Sequence, residues 1–91
     1  MFRYVINGLF LGQRITGIQR YALEICKELD KIVEHGMIAI LTPKGCSVPA
    51  GIFKHMEIIA YGRYKGILWE QTDLRRFVKR NRLYCINFCN V

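Results

Sequence analysis

The chain carries 91 residues, 52% of them apolar and 23% charged, with fourteen Lys and Arg against seven Asp and Glu for a formal net charge of +7. That size allows one small domain with a thin core. The apolar share excludes an intrinsically disordered segment, and no apolar run approaches the roughly 18–20 residues that a membrane-spanning helix requires.

In chain order, Tyr4-Val5-Ile6-Asn7, preceded by Phe2 and closed by Gly8, is a short β-rich run that predicts a buried first strand. Arg3, Asn7 and Gly8 interrupt the apolar stretch, so the N-terminus reads as a strand and not as a signal peptide. A loop bearing Gly8, Gly12 and Gly17 leads into the clearest helix of the chain. There Ile18, Tyr21, Ala22, Ile25, Leu29 and Ile32 repeat at helical spacing and predict one apolar face, with Lys27, Glu28, Lys31 and Glu34 off it. Thr16 and Gln19 have the spacing of a capping box, and Gly36 is the expected stop.

Met37 to Leu41 predicts a second buried strand, and residues 44–54, with Gly45, Pro49 and Gly51, a long loop or a short helix. Met56 to Ala60 predicts a third strand, and Tyr61 to Gly66 a glycine-bounded loop. Leu68 to Arg80 predicts a second helix with Leu74, Phe77 and Val78 turned inward. Leu83 to Phe88 predicts a fourth strand. Apolar strands alternating with helices imply an α/β fold, a partial Rossmann-like parallel sheet of about four strands and two main helices.

The charge is unevenly spread. Arg63, Lys65, Arg75, Arg76, Lys79, Arg80 and Arg82 stand against only Glu70 and Asp73, whereas the first thirty residues nearly balance. Cations in the last turn of a helix also suit its dipole. No zinc-finger spacing, helix-turn-helix pattern or RNP-type aromatic signature accompanies them, so nucleic acid is not the expected partner. Cys26, Cys46, Cys85 and Cys89 form no Cys-x-x-Cys pair. On one strand, Cys85 and Cys89 would lie about 13 Å apart, too far for one tetrahedral metal. They read as small apolar residues of a reducing cytoplasm, with no metal site expected.

In open α/β sheets ligands bind beyond the carboxyl ends of the strands. Here those ends are Asn7-Gly8, the turns after Leu41 and Ala60, and residues 87–91. The loop into the first helix, with Thr16, Gly17, Ile18 and Arg20, suits an anion, because a helix N-terminus offers unpaired N–H groups. Thr-Gly is equally an ordinary way to start a helix. The loop is neither a Walker loop nor a Gly-x-Gly-x-x-Gly fingerprint. His35 and His55 fall on the opposite edge and read as structural. Trp69-Glu70-Gln71 falls on the carboxyl edge, where either Trp69 stacks on a sugar or lipid group with Glu70 and Gln71 bonding hydroxyl groups, or Trp69 belongs to the core and Glu70 is a favourable first-turn acid.

The ordered set of Asn7-Gly8 to Leu11, Thr16-Gly17-Ile18-Gln19-Arg20-Tyr21-Ala22, Leu68-Trp69-Glu70-Gln71 and Asn87-Phe88-Cys89-Asn90 resembles the opening of bacterial family-4 glycosyltransferases of the GT-B fold, in particular those that build surface polysaccharides. The resemblance implies two Rossmann-like domains, the first receiving the acceptor and the second gripping a nucleotide sugar, with retaining transfer and neither metal nor cofactor. By position it implies backbone N–H groups of Gly17 and Ile18 near the donor diphosphate, Arg20 supporting that loop or its anion, and Trp69, Glu70, Gln71 and Asn90 along the acceptor side. No residue matches a catalytic group.

Against that family, residues 1–91 are an incomplete N-terminal domain and the donor-binding domain is absent. The expectation is therefore a truncated hexosyltransferase, inactive alone, whose parent is cytoplasmic, with peripheral contact at the inner face of the membrane compatible with its basic residues. Its partners would be a nucleotide sugar and a glycan or lipid-linked acceptor. The alternatives are a free-standing accessory module of a split enzyme and a small basic nucleic-acid binder.

Overall fold

The computed structural model describes residues 2–14, 16–46, 48 and 51–88. Four strands, β1 (Tyr4–Asn7), β2 (Ile38–Thr42), β3 (Glu57–Ala60) and β4 (Tyr84–Ile86), form one all-parallel sheet in the order β3-β2-β1-β4. This is the α/β, partial Rossmann-like architecture that the alternation of apolar strands and helices predicts. Observed β2 runs one residue later than the apolar run at 37–41, because its last pairing sets Thr42 against Ala60. β4 is shorter than the predicted 83–88, as pairing with β1 ends at Ile6 and Ile86.

The first connection begins with a 3-10 turn (Leu9–Gly12) and continues into α1 (Gly17–Ile32). The Gln19 side-chain oxygen accepts from the Thr16 backbone N–H at 3.3 Å and from the Thr16 hydroxyl, which joins the two residues of the predicted capping box. The helix ends at Ile32, four residues before the expected stop. Val33 turns extended, and Gly36, at φ +79°, serves the turn into β2 instead. The buried face of α1 also differs from the predicted apolar stripe. It centres on Ala22, Cys26 and Asp30, with Leu23, Leu29 and Val33 beside them, while Ile18, Tyr21 and Ile32 are exposed. Small residues at Ala22 and Cys26 let the helix approach the sheet closely, and Asp30 has to reach the loop before β3.

The second connection is one helical rod in three parts, α2 (Gly66–Trp69), a π-helical stretch (Glu70–Leu74) and α3 (Arg75–Arg80), with right-handed helical backbone at both junctions. It starts two residues before the predicted Leu68. Leu74 is buried and Phe77 and Val78 are partly buried, as the periodicity predicts.

Alternate strand residues separate two layers of core. Ile6, Ile38 and Ile40 pack with Phe10, Ala22 and Cys26 on the α1 side, whereas Val5 and Leu41 pack with Trp69 and Leu74 on the other. The helices therefore cover opposite faces, and β1 and β2 are buried between them. At the end of β1 the chain passes close to β2. The Gly8 N–H donates to the Leu41 carbonyl at 2.8 Å, and a Cβ at Gly8 would stand 2.6 Å from that oxygen. Among the described residues no helix is long and apolar enough to cross a membrane.

Candidate functional site

The sheet order places the site. The chain moves from β1 to β2 and β3 on one side, then returns through the second helix to β4 on the other side of β1. The carboxyl ends of β1 and β4 thus flank a topological switch point, the position at which open α/β sheets hold ligands. Asn7 ends β1, Asn87 follows β4, and Glu70 opens the π-helical stretch above them.

These three residues make one hydrogen-bonded node. The Asn7 side-chain amide donates to Glu70 Oε2 at 2.5 Å and to Asn87 Oδ1 at 2.9 Å, and its own oxygen accepts from the Leu9 N–H at 3.1 Å. Asn7 is buried and fully engaged, so it fixes the orientation of the other two. Glu70 Oε1 has no hydrogen-bond partner among the described residues, and the Asn87 amide is solvent-exposed, with only the Cys85 sulfur at 4.0 Å. An acceptor and a donor thus remain for a ligand. A π-helical turn widens the helix locally and is a recurrent feature of functional sites. Here it begins with the residue that closes the node.

A cleft of about 720 Å³ opens beside the node, lined by Glu70, Leu74, Arg75, Arg76, Val78, Lys79, Cys85 and Asn87. Burial, and secondly the nearby Glu70 carboxylate, push the Cys85 thiol up from its ordinary value of 9.0. Both causes favour the neutral thiol over the nucleophilic thiolate. Among the described residues no cluster of three or more His, Cys, Asp or Glu is suited to hold a metal ion.

The residues that the sequence analysis singles out fall into separate groups. Thr16, Gly17, Ile18 and Arg20 all lie at the start of α1 and are exposed, with open space around the Cα of Gly17. The Thr16 hydroxyl is engaged by Gln19, whose amide donates onward to Gln13 Oε1 at 3.2 Å. Trp69 is a core residue with no exposed surface. Its indole N–H donates to the Tyr61 carbonyl at 2.8 Å, so of its two possible roles the structure shows packing and not stacking on a ligand. Glu70 belongs to the node, Gln71 is exposed on the helix apart from it, and Asn90 and Cys89 lie outside the described residues. His35 and His55 meet edge to face at 4.6 Å, and His55 Nδ1–H donates to the Asp30 carbonyl at 2.6 Å, both beside the amino edge of the sheet.

Asn7 and Asn87 are the site residues that pattern reading leaves unassigned. Their signal is a lone amide directly after an apolar strand, at the edge where ligands bind. No family model, no curated protein and no solved structure matches the chain.

Proposed function

We propose that the chain is the acceptor-side part of a GT-B glycosyltransferase of family 4, whose whole protein transfers a hexose from a nucleotide sugar to a glycan or lipid-linked acceptor in surface polysaccharide synthesis. The observation that carries this reading is the Asn7–Glu70–Asn87 node at the switch point. A carboxylate oxygen and a primary amide, held by a buried asparagine, suit the paired donor and acceptor character of adjacent sugar hydroxyls. The start of α1 lies on the same edge of the sheet and supports an anion of the donor diphosphate there. On this reading these residues bind and orient the acceptor and the donor diphosphate.

The test is a nuclear magnetic resonance titration of the 91-residue chain with hexose-containing oligosaccharides and nucleotide sugars. The expected result is saturable shifts of the Asn7 and Asn87 side-chain amides, at roughly millimolar affinity. Glu70→Ala should remove them without lowering the melting temperature by more than a few degrees. Side-chain amides that stay unmoved by every sugar, or that respond equally in Glu70→Ala, would overturn the reading.

A further inference from the structure

A second pocket lies at the same edge of the sheet, beyond the ends of β2 and β3. It encloses about 450 Å³ and is lined by Lys44 from the turn after β2, by Tyr61, Gly62, Arg63 and Tyr64 from the segment after β3, and by Asp73 and Arg76 from the second helix. Three cations from three separate parts of the chain line it. None of them has an ion pair or a side-chain hydrogen bond among the described residues, where the salt bridges are Lys27–Glu24 and Lys31–Glu28, both on α1. The one carboxylate in the lining, Asp73, is buried and turned to the backbone, with Oδ2 accepting the N–H groups of Arg63 at 2.8 Å and Tyr64 at 2.9 Å.

That arrangement is built and not incidental. Gly62 has φ +94°, and a Cβ there would stand 2.4 Å from Asp73 Cγ and Oδ2. The loop is therefore seated on the Asp73 carboxylate, which fixes the backbone from which the Arg63 and Tyr64 side chains project. Asp73 serves as the fastener of the loop, and Lys44, Arg63 and Arg76 line the space without an ion pair among the described residues. Clustered cations without partners repel one another, so a built cluster of this kind calls for an anion. Two guanidinium groups suit oxygens arranged as in a phosphate, and a lysine adds a compact charge.

We propose that this pocket binds a phosphate-class oxyanion, a phosphate ester or a diphosphate, through Lys44, Arg63 and Arg76. The site is separate from the Asn7–Glu70–Asn87 node and does not depend on the glycosyltransferase reading. The phosphate is carried either by a small molecule or by a lipid headgroup, and the experiment separates the two.

Inorganic pyrophosphate is titrated into the full chain while the backbone amides of Arg63 and Tyr64 are followed. In parallel, the chain is sedimented with phosphatidylcholine vesicles with and without phosphatidic acid. Saturable amide shifts whose affinity falls about tenfold in Arg63→Gln and in Arg76→Gln, but not in Arg80→Gln, establish a site for a phosphate in solution. Vesicle binding that needs phosphatidic acid, is displaced by pyrophosphate and is lost in the same two variants assigns the phosphate to a lipid. The three arginines are exposed, so these variants keep the fold, which a melting curve checks. The proposal is overturned if pyrophosphate moves neither amide and displaces nothing. It is equally overturned if Arg80→Gln weakens binding as much as the pocket variants do, since that is the behaviour of net charge alone.

Discussion

The two ends of β3 are held by the same device with different consequences. Before the strand, buried Asp30 of α1 accepts the N–H groups of Lys54, His55 and Met56 at 2.8–2.9 Å. After it, buried Asp73 of the second helix accepts those of Arg63 and Tyr64. β3 is a four-residue edge strand whose own residues are at most half-buried, so its pairing with β2 is supplemented by a carboxylate at each end. At the amino edge the neighbours are a histidine pair and apolar core, and the clamp is structural. At the carboxyl edge the neighbours are three cations without ion pairs among the described residues, and the same clamp also borders a pocket. What surrounds the fastener, and not the fastener itself, separates a structural end of the sheet from a functional one.

Breaking the amino-edge clamp should have the largest effect. Asp30→Ala leaves three backbone N–H groups without their acceptor, one of them on buried Met56, and the expected loss is about 3 kcal/mol, read as a lower urea midpoint at unchanged slope. Burial pushes the Asp30 carboxyl up, but the N–H groups of Lys54, Met56 and His55 outweigh it and hold the group below its ordinary value of 3.8. Its contribution is therefore complete above that value and is lost as pH falls through the lower folded value. Acid titration should show that loss in the wild type, while in Asp30→Ala the same share of stability is already missing at neutral pH. Identical acid profiles for the two proteins would contradict this role.

The carboxyl-edge clamp should respond less. Gly62→Ala sets a methyl group against Asp73 at a backbone conformation that L-residues avoid, at a cost of about 2 kcal/mol. Because the displaced loop carries Arg63 and Tyr64, pyrophosphate affinity should fall together with the urea midpoint. A protein destabilised without weaker anion binding would show that the pocket does not need the clamp, and the comparison between the two ends of β3 would lose its functional half.

Most of the fold was legible because strand and helix periodicities are local. Val5, Ile6, Ile40 and Leu41 are apolar whichever face they meet, and a run that is apolar on both faces fits a sheet covered twice. The buried side of α1 was misread for a physical reason. Ala22 and Cys26 carry little hydrophobic weight, yet they permit the closest contact, while Tyr21 and Ile32 carry more and remain outside. Asp30 and Asp73 were invisible as clamps, since an aspartate on a helix reads as solvated until the loop it faces is known. The node was half legible: Glu70 stood out on the carboxyl edge, but Asn7, which joins it to Asn87, lies 63 residues from the one and 80 from the other and meets them only through the strand order. Asp73 joins the loop to the helix across about ten residues, a spacing with no local pattern.

The smallest expected effect sharpens the comparison from the other side. Gly17, like Gly62, lies on the carboxyl edge, but it has no positive φ, and a Cβ there would meet nothing within 4 Å. Packing therefore does not require glycine at this position. Gly17→Ala should leave the unfolding free energy unchanged or raise it by a few tenths of a kcal/mol, because glycine is the poorer helix former. The proposed donor role gives a different reason for glycine, close approach of a phosphate to the first turn of α1. Gly17→Val tests it. On that role nucleotide-sugar binding weakens while the unfolding free energy stays within about 0.5 kcal/mol of wild type. Binding that survives the valine removes Gly17 from the proposed site and leaves the node and the basic pocket as the candidate features of this edge.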